Sequence, residues 1–474
     1  MKRFSLLLAL ALLASCQSGL LGSGSAQIEL PGIYVMAGAA VDGDGTKANP
    51  FNNLARAEQH SQPGDAIYLL SANESATLNG GIALKPGQKL IGLKPDGEIG
   101  SAESPAVRLT NTTNHLDGVI ALLSENNEVA GLHFVDMRNH AVHAVGANYS
   151  GASIHDNRFS GSQQSEDLTV CVLLEANVGD IRDVFVTDCV FRDGEDLAGI
   201  RVMHTGDSTG VYEFARNAFS DIGGRAYLMW SRGTSRIESR ILDSVADNIG
   251  VGDRNADSID PRLWGRSEQT MFVSNYQYNN TKQVGNRSNT GFEAFIMGES
   301  FPDEEEWCDG CKLTVEIIDC VFENTVTDGI QLTNYGSNSI LDFTIRNTKV
   351  IGANPQQAGG AISLIAQNQY NTGSRSKLLV ENCDIIDSGR YGFAIIDRSG
   401  EYTSTVDLGG GVLGSQGNNR IINSAEGEVL VMNANPIAMK NWWGSAAPRV
   451  SIEGDDSTAS LEPMLVLDPG RNVK

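Results

Sequence analysis

Positive charge is scarce in this sequence: 35 lysines and arginines stand against 58 aspartates and glutamates, a net charge of −23. Binding nucleic-acid phosphates or an anionic membrane surface through charge takes clustered Lys and Arg. Those partners are excluded on this balance, and a neutral, cationic or metal-bridged ligand fits better. Long apolar runs are also missing, because the run from Phe4 to Leu13 is too short to cross a bilayer and no second one reaches that length. Aromatic residues are few, at 7%, while glycines number 52, which suits many short strands and tight turns and counts against a helix-rich fold. Seven cysteines include a single Cys-X-X-Cys pair, so a four-cysteine zinc site is excluded. Neither a Ser-His-Asp arrangement nor a phosphate-binding glycine loop is present.

The N-terminus reads as an export segment. Lys2 and Arg3 precede the apolar run, and Leu13-Ala14-Ser15-Cys16 closes it with the small residues a signal peptidase accepts. This ending resembles a bacterial lipobox. The resemblance implies cleavage before Cys16, lipidation of its thiol and, with Gln17 rather than Asp following, anchoring at the outer membrane. Plain secretion with Cys16 incidental is the other reading. Residues 17–30 are rich in Gly and Ser and read as a flexible tether, leaving 31–474 as the folded domain.

Within that domain one phrase recurs: an apolar residue, two polar or small ones, a small or amide residue, any residue, then an apolar one. Copies begin at Val129, Ile154, Val186, Phe214, Ile237, Val273, Ile317, Ile345 and Val380. Their spacing of about 23 to 44 residues is too irregular for a rigid helical repeat but natural for strands joined by loops that tolerate insertion. Val, Ile and Phe alternate within each copy and Asn, Asp and Gly follow at the corners, as expected of strands with one buried face. A single coil cannot bury its own inner face, and stacked coils turn the repeated positions into continuous columns. A parallel β-helix is expected. Between 243 and 312 the repeat loosens around many charged and aromatic residues, which predicts an irregular insertion on one face of the solenoid.

The start of the domain carries Asp42-Gly43-Asp44-Gly45-Thr46, Asn49-Pro50-Phe51 and Pro63-Gly64-Asp65-Ala66-Ile67-Tyr68. Leu84-Lys85-Pro86-Gly87 follows, and Asn441-Trp442-Trp443-Gly444 stands near the end. These motifs resemble those of pectate-lyase-like right-handed β-helix proteins. The resemblance covers nearly the whole domain and implies an all-β, single-stranded right-handed parallel β-helix with a short N-terminal capping helix at about 51–60. It specifies chemistry poorly, since such folds host lyases, hydrolases and adhesins.

The segment from Asp253 to Arg266 is the main candidate for function. Asp253, Asp257 and Asp260 could together hold calcium. Arg262 or Arg266 could engage a sugar carboxylate, and Trp264, Tyr276 or Tyr278 could stack on sugar rings. A uronate lyase needs such a cation or guanidinium, together with a base for the proton alpha to the carboxylate. A solvated loop with locally paired charges is the plainer reading. Gly291-Phe292-Glu293-Ala294-Phe295 resembles the Gly-Glu strand of alginate and chondroitin lyases, which adds Glu293 to the candidate catalytic residues. The basic residue of that strand is replaced here by Phe295 or Met297. The Gly-His-Gly pattern of β-helix pectin hydrolases is absent.

Cys189, Cys320 and Cys383 share one position of the phrase and read as buried, non-adjacent column residues. Cys171 reads as buried too. Cys308 and Cys311 are the plausible disulfide, given export to an oxidising compartment. The histidines at 133, 140, 143 and 155 read as solvated surface or as an acid–base or metal cluster. Two functions therefore fit: a lipid-anchored envelope protein that binds polysaccharide and, as a lyase-like enzyme, cleaves it, or a non-catalytic adhesin or envelope scaffold.

Overall fold

A computed structural model describes residues 30–474 apart from 147, 164–167, 253–255, 283, 285–288, 299–305, 356–358, 367–372, 399–403, 445–446, 455–456, 466–467 and 470–474. Gly32 to Lys474 form one compact unit. The proposed signal segment and Cys16 lie outside the described residues. Among those described, no helix is long and apolar enough to cross a membrane.

Each complete coil lays down one strand in each of three sheets, here called A, B and C. Thr209–Ala215 enters A, Ala218–Ile222 enters B and Tyr227–Ser231 enters C. Arg236–Leu242 then returns to A beside its predecessor. Sheets A, B and C contain 14, 12 and 13 described strands, each strand pairing with its counterparts one coil away. The paired strands run parallel and in register, which is the expected single-stranded parallel β-helix, and right-handed is the hand that parallel crossovers take.

The recurring phrase is the A-to-B corner. Its third residue lies in the left-handed region, with φ between 50° and 57° at Asp156, Asp188, Arg216, Asp243, Asn275, Asp319, Asn347 and Asn382. Asn and Asp dominate because their short polar side chains tolerate that conformation. The fourth residue turns inward and bonds to neighbouring coils. Asn157 Nδ2 donates to the Val129 carbonyl (2.8 Å), and the Leu132 amide donates to Asn157 Oδ1 (3.1 Å). Cys189, Cys320 and Cys383 occupy this position and are buried, as is Cys171. One copy shifts: Phe214 pairs with Ile241, so the fifth phrase runs Ile241–Ala246 rather than Ile237–Leu242. Both Ile237 and Ile241 are buried in a strand of alternating pattern, which is why either fits the phrase.

The sixth residue fills the interior. Phe134, Phe159, Phe191 and Phe219 stack in successive coils at centroid separations of 5.0, 4.7 and 4.6 Å. Helix α1 spans Leu54–His60, shorter than the expected 51–60, because Phe51 pairs with Val35 and the Asn53 side chain accepts the Arg56 amide as N-cap. Regular strands continue through 243–312, at Val245–Ile249, Ile259–Leu263, Glu268–Ser274, Gln277–Asn279 and Phe292–Ile296. The irregularity lies in the connections at 250–258, 280–291 and 297–311. All of these border sheet C, while the A-to-B corners of the same coils keep two residues.

Candidate functional site on sheet C

The outer face of sheet C brings together several of the candidate charged residues. Strand register aligns Asp260 with Glu293 and then Gln331 and Ser363, on successive coils. Just before these strands, Arg225, Asp257, Thr290 and Asp328 form a second row. Next to the first row run Met203, Trp230, Arg262, Phe295 and Thr333. Parallel pairing puts like positions about 4.8 Å apart, so residues from three coils meet in one patch.

Asp257, Asp260 and Glu293 are buried and bring one carboxylate oxygen each within 4.8 Å of the others. Arg262 Nε lies 2.9 Å from both oxygens of Asp260, and its Nη2 donates to Glu293 Oε2 at 3.2 Å. Arg225 pairs with Asp260 through Nε and reaches Asp257 Oδ2 at 3.5 Å. Gln331 Nε2 donates to Glu293 Oε1 (3.1 Å), and the Thr290 amide donates to Asp257 Oδ1 (3.1 Å).

Three carboxylates facing two guanidiniums leave one negative charge in a buried place, where an uncompensated charge is costly. A proton resolves this. Burial pushes the Glu293 carboxyl well above its usual range, reinforced by the charges of Asp257 and Asp260. Burial also raises Asp257, and a hydrogen bond between the two acids lowers Asp257 while raising Glu293. Burial, the neighbouring charges and this hydrogen bond all favour the protonated form of Glu293. Arg262 is held charged, because the attraction of Asp260 and Glu293 outweighs its burial.

Aromatic rings flank the patch. Arg262 lies over Phe295 (5.9 Å), which meets Tyr335 edge-on at 5.3 Å, and Arg201 lies over Trp230 (5.7 Å). Trp230, Phe295 and Tyr335 are partly exposed. Trp264 is buried against Trp230 under Arg232, so its face is covered by the protein itself.

Of the residues proposed from sequence, Asp257, Asp260, Arg262 and Glu293 come together. Asp253 lies outside the described residues. Arg266 points to solvent and pairs with Asp309 at 3.3 Å. Tyr276 and Tyr278 are fully buried in the core, which corrects their expected role in stacking on sugar: phrase positions four and six face inward. Cys308 and Cys311 form a disulfide. Arg225, Trp230, Gln331 and Asp328 were missed, since the B-to-C connections vary in length and hide the alignment of the second row.

The donor set also bears on calcium. The spacing of the three acids suits a cation, but guanidinium nitrogens of Arg225 and Arg262 already occupy the side of Asp260 and Glu293 where an ion would sit. Among the described residues, the arrangement does not fit a resident calcium ion.

No protein-family model and no curated protein matches this chain. Among solved structures, it is similar to the catalytic domain of a GH87 alpha-1,3-glucanase in complex with nigerose, at 14% identity over 91% of this chain and 68% of that one, with a TM-score of 0.48. It is also similar to the A-module of the Azotobacter vinelandii mannuronan C-5 epimerase AlgE6, at 12% identity over 86% and 94% of the two chains, with a TM-score of 0.38.

Proposed function

We propose that the outer face of sheet C binds a polysaccharide chain and cleaves it by acid–base chemistry, with Glu293 as proton donor. One observation carries this reading: Glu293, whose protonated form burial favours, clusters with Asp257 and Asp260 on the solenoid face that the long connections border. A carboxyl that keeps its proton near neutrality can protonate a glycosidic oxygen as the bond to it breaks, and a neighbouring carboxylate can stabilise or capture the sugar cation. Trp230, Phe295 and Tyr335 offer rings for the apolar faces of sugars. Hydrolysis fits better than uronate elimination, because Arg225 and Arg262 are both committed to Asp260 and neither is free to hold a substrate carboxylate.

A non-catalytic reading has its own support. Asp257 and Asp260 are 0% exposed and nearly all their oxygens are bonded, as in an ion-pair network that fixes three coils together. Incubating the protein with neutral and uronate polysaccharides, and following reducing and unsaturated ends, separates the two. Reducing ends that appear without unsaturated ends and vanish in Glu293→Gln support hydrolysis. No new ends on any substrate supports the scaffold.

The same proposal attaches the protein to the cell envelope through Cys16. The Lys2-Arg3 start, the apolar run and the Leu-Ala-Ser-Cys ending support it. Labelling with a radioactive fatty acid that disappears in Cys16→Ser tests it.

A further inference from the structure

Far from the acidic centre, near the N-terminal end, the outer face of sheet B carries a ladder of basic residues. Arg108 and Arg158 pair with His133 from either side in the register, and Arg192 lies on the next coil beside Ser160. His133 Nε2 lies 2.8 Å from Ser160 Oγ. Burial lowers the His133 pKa to about 4, helped by the charges of Arg158, Arg108 and Arg192, so three guanidiniums crowd one neutral imidazole.

A cleft of about 880 Å³ opens over this ladder. Its walls are the two long A-to-B connections of the first coils, residues 72–76 and 93–106, where the coils between Ser153 and Ile386 turn in two residues. Arg108, His133 and Arg158 form the half-buried floor, Lys94 adds a fourth basic group, and the exposed Glu74, Asp96 and Glu103 stand at the rim. Arg158 Nη2 donates to the carbonyl of Glu103 at 2.8 Å and to its carboxylate at 3.3 Å. Arg192 pairs with Asp193. Among the described residues no carboxylate lies within ion-pair distance of Arg108, and the buried Nε atoms of Arg108 and Arg158 have no acceptor.

In a protein of net charge −23, a walled cleft that keeps an unpaired guanidinium on its floor is organised for an anion. We propose that this cleft binds an acidic sugar unit, its carboxylate or sulfate held by the unpaired Arg108 and by the Arg158 guanidinium nitrogen that Glu103 leaves open, its hydroxyls by the rim carboxylates. Guanidinium groups are suited to both oxyanions, which they can hold through two parallel bonds. The site is separate from the sheet C centre and would serve to hold an acidic glycan.

Calorimetric titration of the full chain with a galacturonate hexasaccharide, a heparin-derived sulfated hexasaccharide and neutral maltohexaose tests this. At least one acidic probe is expected to bind, and maltohexaose about tenfold more weakly for want of a charge-assisted bond. Binding of the galacturonate alone would identify the anion as carboxylate, and of the sulfated probe alone as sulfate. Arg108→Ala and Arg158→Ala should each weaken binding about tenfold, while Arg236→Ala, which removes an exposed arginine of sheet A, should leave it unchanged. Equal affinity for all three probes, no binding of either acidic probe, or unchanged affinity in both arginine variants would overturn the proposal.

Discussion

Asp260 and Glu293 occupy the same position of consecutive coils and are joined through Arg262, whose Nε contacts the first and whose Nη2 contacts the second. The two acids are therefore not equivalent under mutation. Asp260→Ala strands Arg225 and Arg262 against a buried gap and should cost about 3–5 kcal/mol of stability in denaturant unfolding. Glu293→Gln keeps the volume and can still bond to Asp257, so its melting temperature should stay close to that of the parent. Turnover of a cleaved polysaccharide should nevertheless fall about 100-fold or more, the usual loss on removing a proton donor. Full turnover by Glu293→Gln would remove it from the chemistry.

Asp328 provides a test by pH. It is buried at the edge of the same patch, its Oδ1 bonded to Ser363 Oγ, and burial pushes its pKa up to about 7 from 3.8. The folded protein then holds a proton there that the unfolded chain releases. This makes the contribution of Asp328 greatest below about pH 4 and lost as pH rises to about 7, at about 1.4 kcal/mol per pH unit. Urea unfolding of the parent and of Asp328→Asn across that range should show the parent losing stability relative to the variant. Parallel pH profiles would place the Asp328 pKa near its ordinary value.

The solenoid was legible because its signal is local. The Asp-Asn corner and the apolar residues around it repeat at fixed offsets, so the buried places of Cys189, Cys320 and Cys383 follow from one alignment. The site was only half legible. Asp257, Asp260 and Arg262 are neighbours in sequence, but their partners Glu293 and Arg225 lie one coil away on either side, across connections of unequal length. Tyr276 and Tyr278 show the converse. Their closeness to the acidic segment suggested sugar stacking, whereas alternation along the chain turns both inward. Which face a residue takes depends on a register that the variable loops conceal.

The phenylalanine column should dominate the stability of the N-terminal half. Phe191 lies between Phe159 and Phe219, stacked on both and fully buried. Phe191→Ala removes two ring contacts and leaves a cavity that flanking coils cannot fill without breaking their strand register. The expected loss is about 3–5 kcal/mol in denaturant unfolding. Phe191→Leu, which keeps most of the apolar volume, should lose markedly less. Equal losses would mean that ring stacking outweighs cavity volume in this column.

Calcium gives the sharpest separation between an ion-pair centre and a metal centre. The three acids have the spacing of a cation site, yet two arginines already supply the positive charge. A calcium ion entering this patch would have to displace Arg262 from Asp260 and Glu293 and would place a divalent charge beside two guanidiniums. Titration with calcium should therefore leave the melting temperature unchanged, and a chelator should affect neither folding nor polysaccharide turnover. A binding ion would instead raise the melting temperature with the logarithm of its concentration. Arg262→Gln frees oxygens on Asp260 and Glu293, so this variant, unlike the parent, should gain thermal stability when calcium is added. The same gain in the parent would show that the arginines yield to the metal and that the centre is a calcium site.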